Sequence, residues 1–252
     1  MAFIFLTICS AYSQKDITKP LDKWSKDDLI KFTSDSNWAK TFRSTEGAGG
    51  NNQRRTAGQL VQDVTVGGDD ARISRYSGGE PLILRLHSSE FLRRAVVRLQ
   101  QIEAGYDKMS SDDKAKFDAS RKVYLECAIC KDYYVVTLTR VFDDARSAAG
   151  EGVFQAMTLD EVRSYVKLVN DKGEERNLFQ FTAPKKSSDQ AIFFFKRTND
   201  NGVPFVTPET KSVKIIFTAA ARDRAVNRFA YLLPPYFEFN MLKIVIDGTI
   251  SF

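Results

Sequence analysis

The chain has 252 residues, of which 43% are hydrophobic and 27% are charged, as in an ordinary soluble globular protein with one large domain or two small ones. The formal charge of +5 is spread along the chain, and basic residues occur as pairs such as Arg93–Arg94 and Lys185–Lys186. Because a nucleic-acid binder would cluster such residues on a face or tail, we expect a mixed solvated surface and no nucleic-acid partner.

Residues 1–13 are predicted to be a signal peptide. The apolar run Ala2–Tyr12 is too short to span a bilayer, and Ala11 and Ser13 are small residues at the spacing of a signal-peptidase site. No Lys or Arg precedes the run, so we expect an incomplete leader or a start further upstream; a buried N-terminal strand is the alternative. Export would make the protein secreted or periplasmic, with no transmembrane span in the mature chain.

Residues 14–45 are predicted to form a helical arm. Ser25 is the candidate N-cap of a first short helix, because two aspartates follow in its first turn. A further helical turn is predicted at Asn37–Lys40. Residues 46–80 are predicted to form a flexible Gly-rich region containing one strand, Leu60–Val66, since this composition buries little apolar surface.

Residues 81–126 are predicted to form a strand and two helices. Pro81–His87 has the composition of a buried strand, and Ser88 is the candidate cap of a helix that follows. Apolar residues recur on one face of that helix at helical spacing, which predicts a stripe that packs in the core. Ser110–Glu126 is predicted to form the second helix, with a start that has the form of a capping box.

Cys127 and Cys130 lie where this second helix gives way to a predicted strand, Tyr133–Phe142. Side chains alternate along a strand, and the more apolar set, Tyr134, Val136, Leu138 and Arg140, is predicted to face the core. Redox sites of the thioredoxin type place such a pair at a helix N-terminus, and here the order is reversed. A structural zinc site needs four ligands, and neither a second cysteine pair nor a histidine cluster is present. The sequence favours a local structural disulfide, with redox, metal and free-thiol alternatives left open.

Residues 131–252 are predicted to form a β-rich core. A hairpin turn is expected at Asn170–Gly173 between two predicted strands, Ser164–Val169 and Arg176–Thr182. Gln190–Lys196 is predicted to be a strand that is covered on both faces. The predicted fold class is α+β, with a helical N-terminal half packed on an antiparallel β-sandwich or barrel-like C-terminal half. Residues 81–252 are expected to form one folding unit.

A basic and then apolar stretch interrupts the strands of the C-terminal half and is a candidate interaction surface for a protein or envelope partner. The alternative is a crossover packed on a sheet edge. The candidate residues are Arg222, Arg224, Arg228, Phe229, Tyr231 and Leu232.

Three motifs carry a resemblance to an uncharacterised family of secreted proteins from soil bacteria. They are Trp24–Asp28, Ser36–Lys40 and Cys127–Val136, and a closing set of Phe-rich strands accompanies them. The resemblance covers most of the chain. It implies export and a single structural unit, and it supplies no activity, ligand or catalytic residue.

The sequence offers little catalytic equipment. His87–Ser89 places the single histidine beside two serines but lacks the glycines of a nucleophile elbow. The pairs Asp143–Asp144 and Asp160–Glu161 are candidate acid–base groups, although such pairs usually lie in turns or at helix starts. We therefore predict an exported, non-catalytic β-rich protein with a binding or envelope-associated role, no cofactor and no metal. The alternative is a small exported hydrolase that uses a carboxylate pair.

Overall fold

The structure, a computed structural model, describes residues 19–42, 81–140, 154–155, 157–185, 189–223, 233–246, 249–250 and 252. The predicted signal peptide 1–13, the Gly-rich region 46–80 and the pair Asp143–Asp144 therefore lie outside the described residues. No helix in the described ranges is long and apolar enough to cross a membrane.

The described chain contains four α-helices, and each begins at a capping side chain. Their bounds are α1 Lys26–Ser34, α2 Glu90–Glu103, α3 Ser111–Glu126 and α4 Leu159–Arg163. The side chains of Ser25, Ser89, Ser110 and Thr158 each accept a hydrogen bond from the backbone N–H three residues further on, which satisfies one of the free donors of a first helical turn.

The cap of α2 lies one residue later than predicted. Ser89 accepts the N–H of Leu92, whereas the hydroxyl of Ser88 exchanges hydrogen bonds with the backbone of Val135. Ser88 therefore fastens the strand before α2 to the strand that follows the cysteines.

Within the described ranges, eleven strands form three antiparallel sheets. The first seven strands are β1 Ala39–Phe42, β2 Leu82–Leu86, β3 Tyr133–Arg140, β4 Val166–Asn170, β5 Glu175–Asn177, β6 Gln180–Thr182 and β7 Ala191–Lys196. The rest are β8 Ser212–Phe217, β9 Tyr236–Asn240, β10 Val245–Ile246 and β11 Thr249–Ile250. The strand orders are β1-β2-β3-β7-β6, β5-β4-β8-β9 and β10-β11.

These orders confirm the α+β class. Both larger sheets are antiparallel throughout, and their linear orders leave them open among the described strands.

The helical turn predicted at Asn37–Lys40 is wrong. Ala39–Phe42 is instead β1, whose residues pair with β2 in the register Lys40 to Leu84 and Phe42 to Leu82. The pairing partners lie 40 residues or more away in sequence, so local residue patterns carry no information about them.

The strand predicted over Arg176–Thr182 is divided between the two larger sheets. Glu175–Asn177 pairs with β4, whereas Gln180–Thr182 pairs with β7. Leu178 is buried between the two short strands, so the chain passes from one sheet to the other at this point. The turn at Asn170–Gly173 is confirmed, and Gly173 has the positive φ of 79° that a turn glycine tolerates.

One main hydrophobic cluster includes residues of α1, α2 and both larger sheets. The ring of Phe154 lies 5.4 Å from that of Phe193 in β7 and 6.0 Å from that of Phe217 in β8, so it contacts strands of both sheets. A second, smaller cluster contains Cys127, Cys130, Val135 and Phe194. Because side chains alternate along β3 and β7, this cluster lies on the other face of the five-stranded sheet.

The alternation predicted along β3 is confirmed for its described side chains. Tyr134, Val136 and Leu138 belong to the main cluster, and Val135 belongs to the smaller one. In β7, Phe193 and Phe195 are in the main cluster and Phe194 is in the smaller one, so this strand is covered on both faces as predicted.

Candidate functional site

The cysteine pair lies in a short turn between α3 and β3. Cys127 ends α3 in the left-handed conformation, with φ of 41°, and its N–H still donates to the carbonyl of Val123. A single 3₁₀ turn, Ala128–Lys131, then leads into Tyr133 at the start of β3. The Sγ atoms of Cys127 and Cys130 are 2.03 Å apart, so the structure pairs them as the disulfide that the sequence predicts.

The disulfide packs on the sheet face opposite the main core. Its neighbours in the smaller cluster are Val135 and Phe194, which are register partners in β3 and β7. Tyr133 and Ile192 cover them as half-buried residues. The disulfide thus joins the end of α3 to the outer face of the sheet.

A buried arginine contacts the disulfide. Arg93 in α2 is only 4% exposed, and its Nε donates to the carbonyl of Leu125 at 3.1 Å. Its Nη1 donates to the carbonyls of His87 at 2.9 Å and Ser88 at 2.8 Å, and lies 3.6 Å from Sγ of Cys130. Among the described residues this guanidinium forms no ion pair, so backbone carbonyls and a sulfur atom are its neighbours.

Arg93 was predicted to lie on the solvated surface together with Arg94, and for Arg93 this is wrong. Arg94 is exposed and pairs with Glu90, whereas Arg93 lies with Leu92 and Val97 among the buried residues of α2. The signal was its position: Arg93 directly follows Leu92 and precedes Val97 by four residues, which places it at the edge of the apolar stripe.

A second arginine holds the backbone of the same turn. Arg197 donates from Nε to the carbonyl of Cys130 at 2.9 Å and from Nη2 to the oxygen of Phe252 at 2.6 Å. Its guanidinium carbon lies 4.5 Å above the ring of Tyr134, a cation–π geometry. Burial lowers the pKa of both Arg93 and Arg197. Both side chains stay charged at neutral pH, because the ordinary pKa of a guanidinium group lies far above 7.

The surroundings of the pair are electropositive. The His87 ring contacts Tyr124 edge to face at 4.9 Å, and burial, followed by the charges of Arg93 and Arg85, lowers the pKa of His87 to about 4. Arg85 donates to the carbonyl of Thr33 at 2.6 Å. His87 is therefore neutral at pH 7, and two guanidinium groups oppose its protonation.

The candidate serine and histidine residues have structural roles. The hydroxyl of Ser88 is bonded to the backbone of Val135, and that of Ser89 caps α2. His87 packs on Tyr124. These contacts explain all three residues of the His87–Ser89 stretch as structural, so no catalytic role as nucleophile and base is needed to explain them.

The candidate carboxylate pair Asp160–Glu161 serves the start of α4. Glu161 accepts the N–H of Thr158 at 2.9 Å in a capping box. Asp160 lies 3.6 Å from Arg163, and its side chain is 91% exposed. Within the described ranges no group of three or more His, Cys, Asp or Glu residues is arranged to hold a metal ion.

A partly exposed aromatic patch lies beside the disulfide; we define it as Tyr133, Phe179 and Lys196. The rings of Tyr133 and Phe179 stack at 4.9 Å with an interplanar angle of 30°. The Nζ of Lys196 lies 5.3 Å from the centre of the Phe179 ring. Phe179 is 42% exposed, and Tyr133 also packs against the smaller cluster, so the patch adjoins the disulfide on the same sheet face.

Of the interaction surface predicted from sequence, the structure describes Arg222 alone. Its N–H donates to the carbonyl of Thr218 at 3.1 Å, and the residue is half-buried. The other candidates, Arg224, Arg228, Phe229, Tyr231 and Leu232, lie outside the described residues, and that surface stays a prediction.

Comparison of the chain with protein-family models, curated proteins and solved structures finds no match. The functional interpretation therefore depends on the geometry described above.

Proposed function

We propose that this chain is an exported, non-catalytic binding protein that recognises a partner through the aromatic patch. The observation that carries the proposal is the half-exposed stack of Tyr133 on Phe179 with the ammonium of Lys196 over the Phe179 ring. Aromatic residues on a rigid scaffold contribute most to many binding interfaces, because they bury a large area with little loss of side-chain entropy. Tyr133 and Lys196 belong to paired strands of the five-stranded sheet, which fixes their spacing.

The charges at the patch favour an apolar partner. Lys196 also lies 3.5 Å from the carboxylate of Asp200, so its ammonium is already paired. The carboxylate of Asp200 would repel a phosphate or nucleic acid at this ammonium, whereas an apolar side chain of a protein or envelope component needs only the exposed ring of Phe179. The partner expected here is thus a polypeptide or envelope surface with an apolar contact residue.

Two features support a secreted or periplasmic location. Disulfides persist in oxidising compartments, and the sequence predicts a leader at residues 1–13.

We further propose that the two larger sheets pack face to face as a sandwich, which the contacts of Phe154 with Phe193 and Phe217 support. No observation among the described residues supports the alternative function, a hydrolase with a carboxylate pair. The carboxylate of Glu161 accepts the N–H of Thr158 in the capping box of α4.

Photo-cross-linking tests the patch directly. A photoreactive residue replaces Phe179 in one protein and, as the matched control, Val203 in another; Val203 is 50% exposed and lies outside the patch. Each is irradiated with the exported protein and envelope fraction of the native host. We expect a discrete adduct from position 179 that excess wild-type protein suppresses and excess Phe179→Ser protein does not.

Equal adducts from both positions, or equal suppression by both competitors, would contradict binding at the patch. Recovery of the folded native protein from the reducing cytosol alone would contradict export.

A further inference from the structure

Arg93 fixes a positive charge beside one sulfur atom of the cysteine pair. We propose that Cys127 and Cys130 form a thiol–disulfide exchange centre, in which Arg93 stabilises Cys130 as a thiolate and the substrate is a dithiol. This would add a redox activity to the proposed binding role and replace its non-catalytic character. The exchange and the binding depend on different side chains, so each can fail without the other.

Sequence reasoning favours a purely structural disulfide because the pair ends a helix and no helix N-terminus is available to activate a thiolate. The structure supplies a different cause. Nη1 of Arg93 lies 3.6 Å from Sγ of Cys130, and a neighbouring arginine favours the ionised thiol as a helix N-terminus does.

The guanidinium cannot readily turn away from the sulfur. Three backbone carbonyls, those of Leu125, His87 and Ser88, hold its Nε and Nη1. These groups are neutral, so they orient the charge without cancelling it. Where solvent is largely excluded, a charge acts more strongly on a neighbour than it would in water.

Other positively charged groups near the cysteine pair add to the positive potential from Arg93. Arg197 donates to the backbone carbonyl of Cys130. Burial is the main cause of the lowered pKa of His87, and the charges of Arg93 and Arg85 act on it in the same direction. The charges of Glu90 on Arg93 and of Asp132 on Arg197 act in the other direction, but neither carboxylate forms an ion pair with these guanidinium groups in the described chain.

The contact is asymmetric, and this decides the direction of the reaction. Among the described contacts Arg93 meets the sulfur of Cys130 and makes no hydrogen bond with that of Cys127. Cys130 is therefore the better leaving group, and Cys127 is the sulfur that a substrate attacks. Cys127 is 8% exposed and lies between the exposed residues Glu126 and Ala128 at the end of α3, so the exchange requires this turn to open to the substrate thiol.

The exchange needs no reactant besides the substrate dithiol, because its electrons and protons balance between the dithiol and the protein disulfide. A substrate thiolate attacks Sγ of Cys127, the protein disulfide breaks, and its electron pair leaves on Cys130 beside Arg93. The second substrate thiolate attacks the substrate sulfur of this mixed disulfide, and Cys127 leaves and takes a proton. The substrate loses two electrons and two protons; the protein gains both electrons, one proton stays on Cys127, and the other enters solvent while Cys130 remains ionised.

Thiol titration separates this proposal from a structural role. In full-length protein carrying Cys9→Ser, the single thiols of Cys127→Ser and Cys130→Ser are alkylated with iodoacetamide across a pH series. We expect the pKa of the Cys130 thiol to lie about one unit or more below the ordinary value of about 8.5, and that of Cys127 not to be lowered. Because burial alone raises a thiol pKa, a Cys130 pKa at or above the ordinary value would overturn the proposal.

The equilibrium with glutathione provides the second measurement. At about pH 9.5, where the Cys130 thiol is largely ionised with or without Arg93, Arg93→Met should shift this equilibrium toward the disulfide by about tenfold or more, which is about 30 mV for a two-electron couple. Arg85→Met is the matched control, since it also removes a half-buried guanidinium bonded to a backbone carbonyl, and Arg85 contacts neither sulfur among the described contacts. Equal shifts in both variants would refute the role of Arg93, and if Arg93→Met does not fold, the titration above decides with Arg93 intact.

Discussion

His87 is kept uncharged by its surroundings, which links the stability of the fold to pH. Burial and the charges of Arg93 and Arg85 lower its pKa from 6.5 to about 4 in the folded protein. Below pH 6.5 the unfolded chain therefore binds more protons than the folded chain, so this contribution is present above pH 6.5 and is lost as the pH falls toward 4.

Urea unfolding at pH 7 and pH 5 measures this effect. With the pKa values above, linkage predicts that wild-type protein loses about 2 kcal/mol of unfolding free energy at pH 5 relative to pH 7. His87→Gln should lose much less over the same interval, because the chain has no other histidine to titrate there. Equal losses in the two proteins would show that His87 is not the group responsible.

The site was partly accessible to sequence reasoning. The pairing of Cys127 with Cys130 follows from their spacing and their position between a helix and a strand. The burial of Arg93 was signalled only by its place at the edge of the apolar stripe of α2, since its exposed neighbour Arg94 has the same side chain. The carbonyls that hold it come from two segments, one before α2 and one at the end of α3, and their meeting is a tertiary event.

The contribution of a capping residue to the unfolding free energy depends on how much apolar surface its helix buries in the core. Ser89 caps α2, which buries Leu92 and Ala95 in the main core, whereas Ser110 caps α3, which buries no residue. We expect Ser89→Ala to lower the unfolding free energy by about 1 kcal/mol or somewhat more. Ser110→Ala should change global stability less and increase hydrogen exchange in the first turn of α3, because that helix can fray without opening the core.

Denaturant unfolding and native-state hydrogen exchange of both variants test this difference. A larger loss of global stability in Ser110→Ala than in Ser89→Ala would contradict it.

Elements fixed by local chemistry were predictable, and elements fixed by distant pairing were not. The starts of α1 and α3 carry serine caps with an aspartate three residues on, and β7 is a continuous apolar strand. β1 has four residues and exists through its pairing with β2. β5 and β6 appear as one strand in the sequence, and they separate because β4 and β7 are available as partners in different sheets.

The segment 19–42 is integrated into the body of the protein. Trp38 is fully buried, and its ring lies 5.2 Å from that of Phe32 in α1 and 6.1 Å from that of Phe91 in α2. Trp24 completes this group at 5.3 Å from Phe32. Since β1 is also a strand of the five-stranded sheet, the arm should unfold together with the sheet and not before it.

Trp38→Ala tests this integration. Removing a fully buried large aromatic side chain should lower the unfolding free energy by about 3–5 kcal/mol. Phe179→Ala is the matched control, since the ring of Phe179 is partly exposed and its removal should lower the unfolding free energy much less.

Two probes of unfolding in wild-type protein test the same point. Tryptophan fluorescence reports Trp24 and Trp38, and far-ultraviolet circular dichroism reports all helices and strands. Both signals should change at the same denaturant concentration. If fluorescence instead changes at a distinctly lower concentration, or if Trp38→Ala leaves the circular-dichroism transition unmoved, the arm is a separate folding unit that docks on the sheet after it has formed.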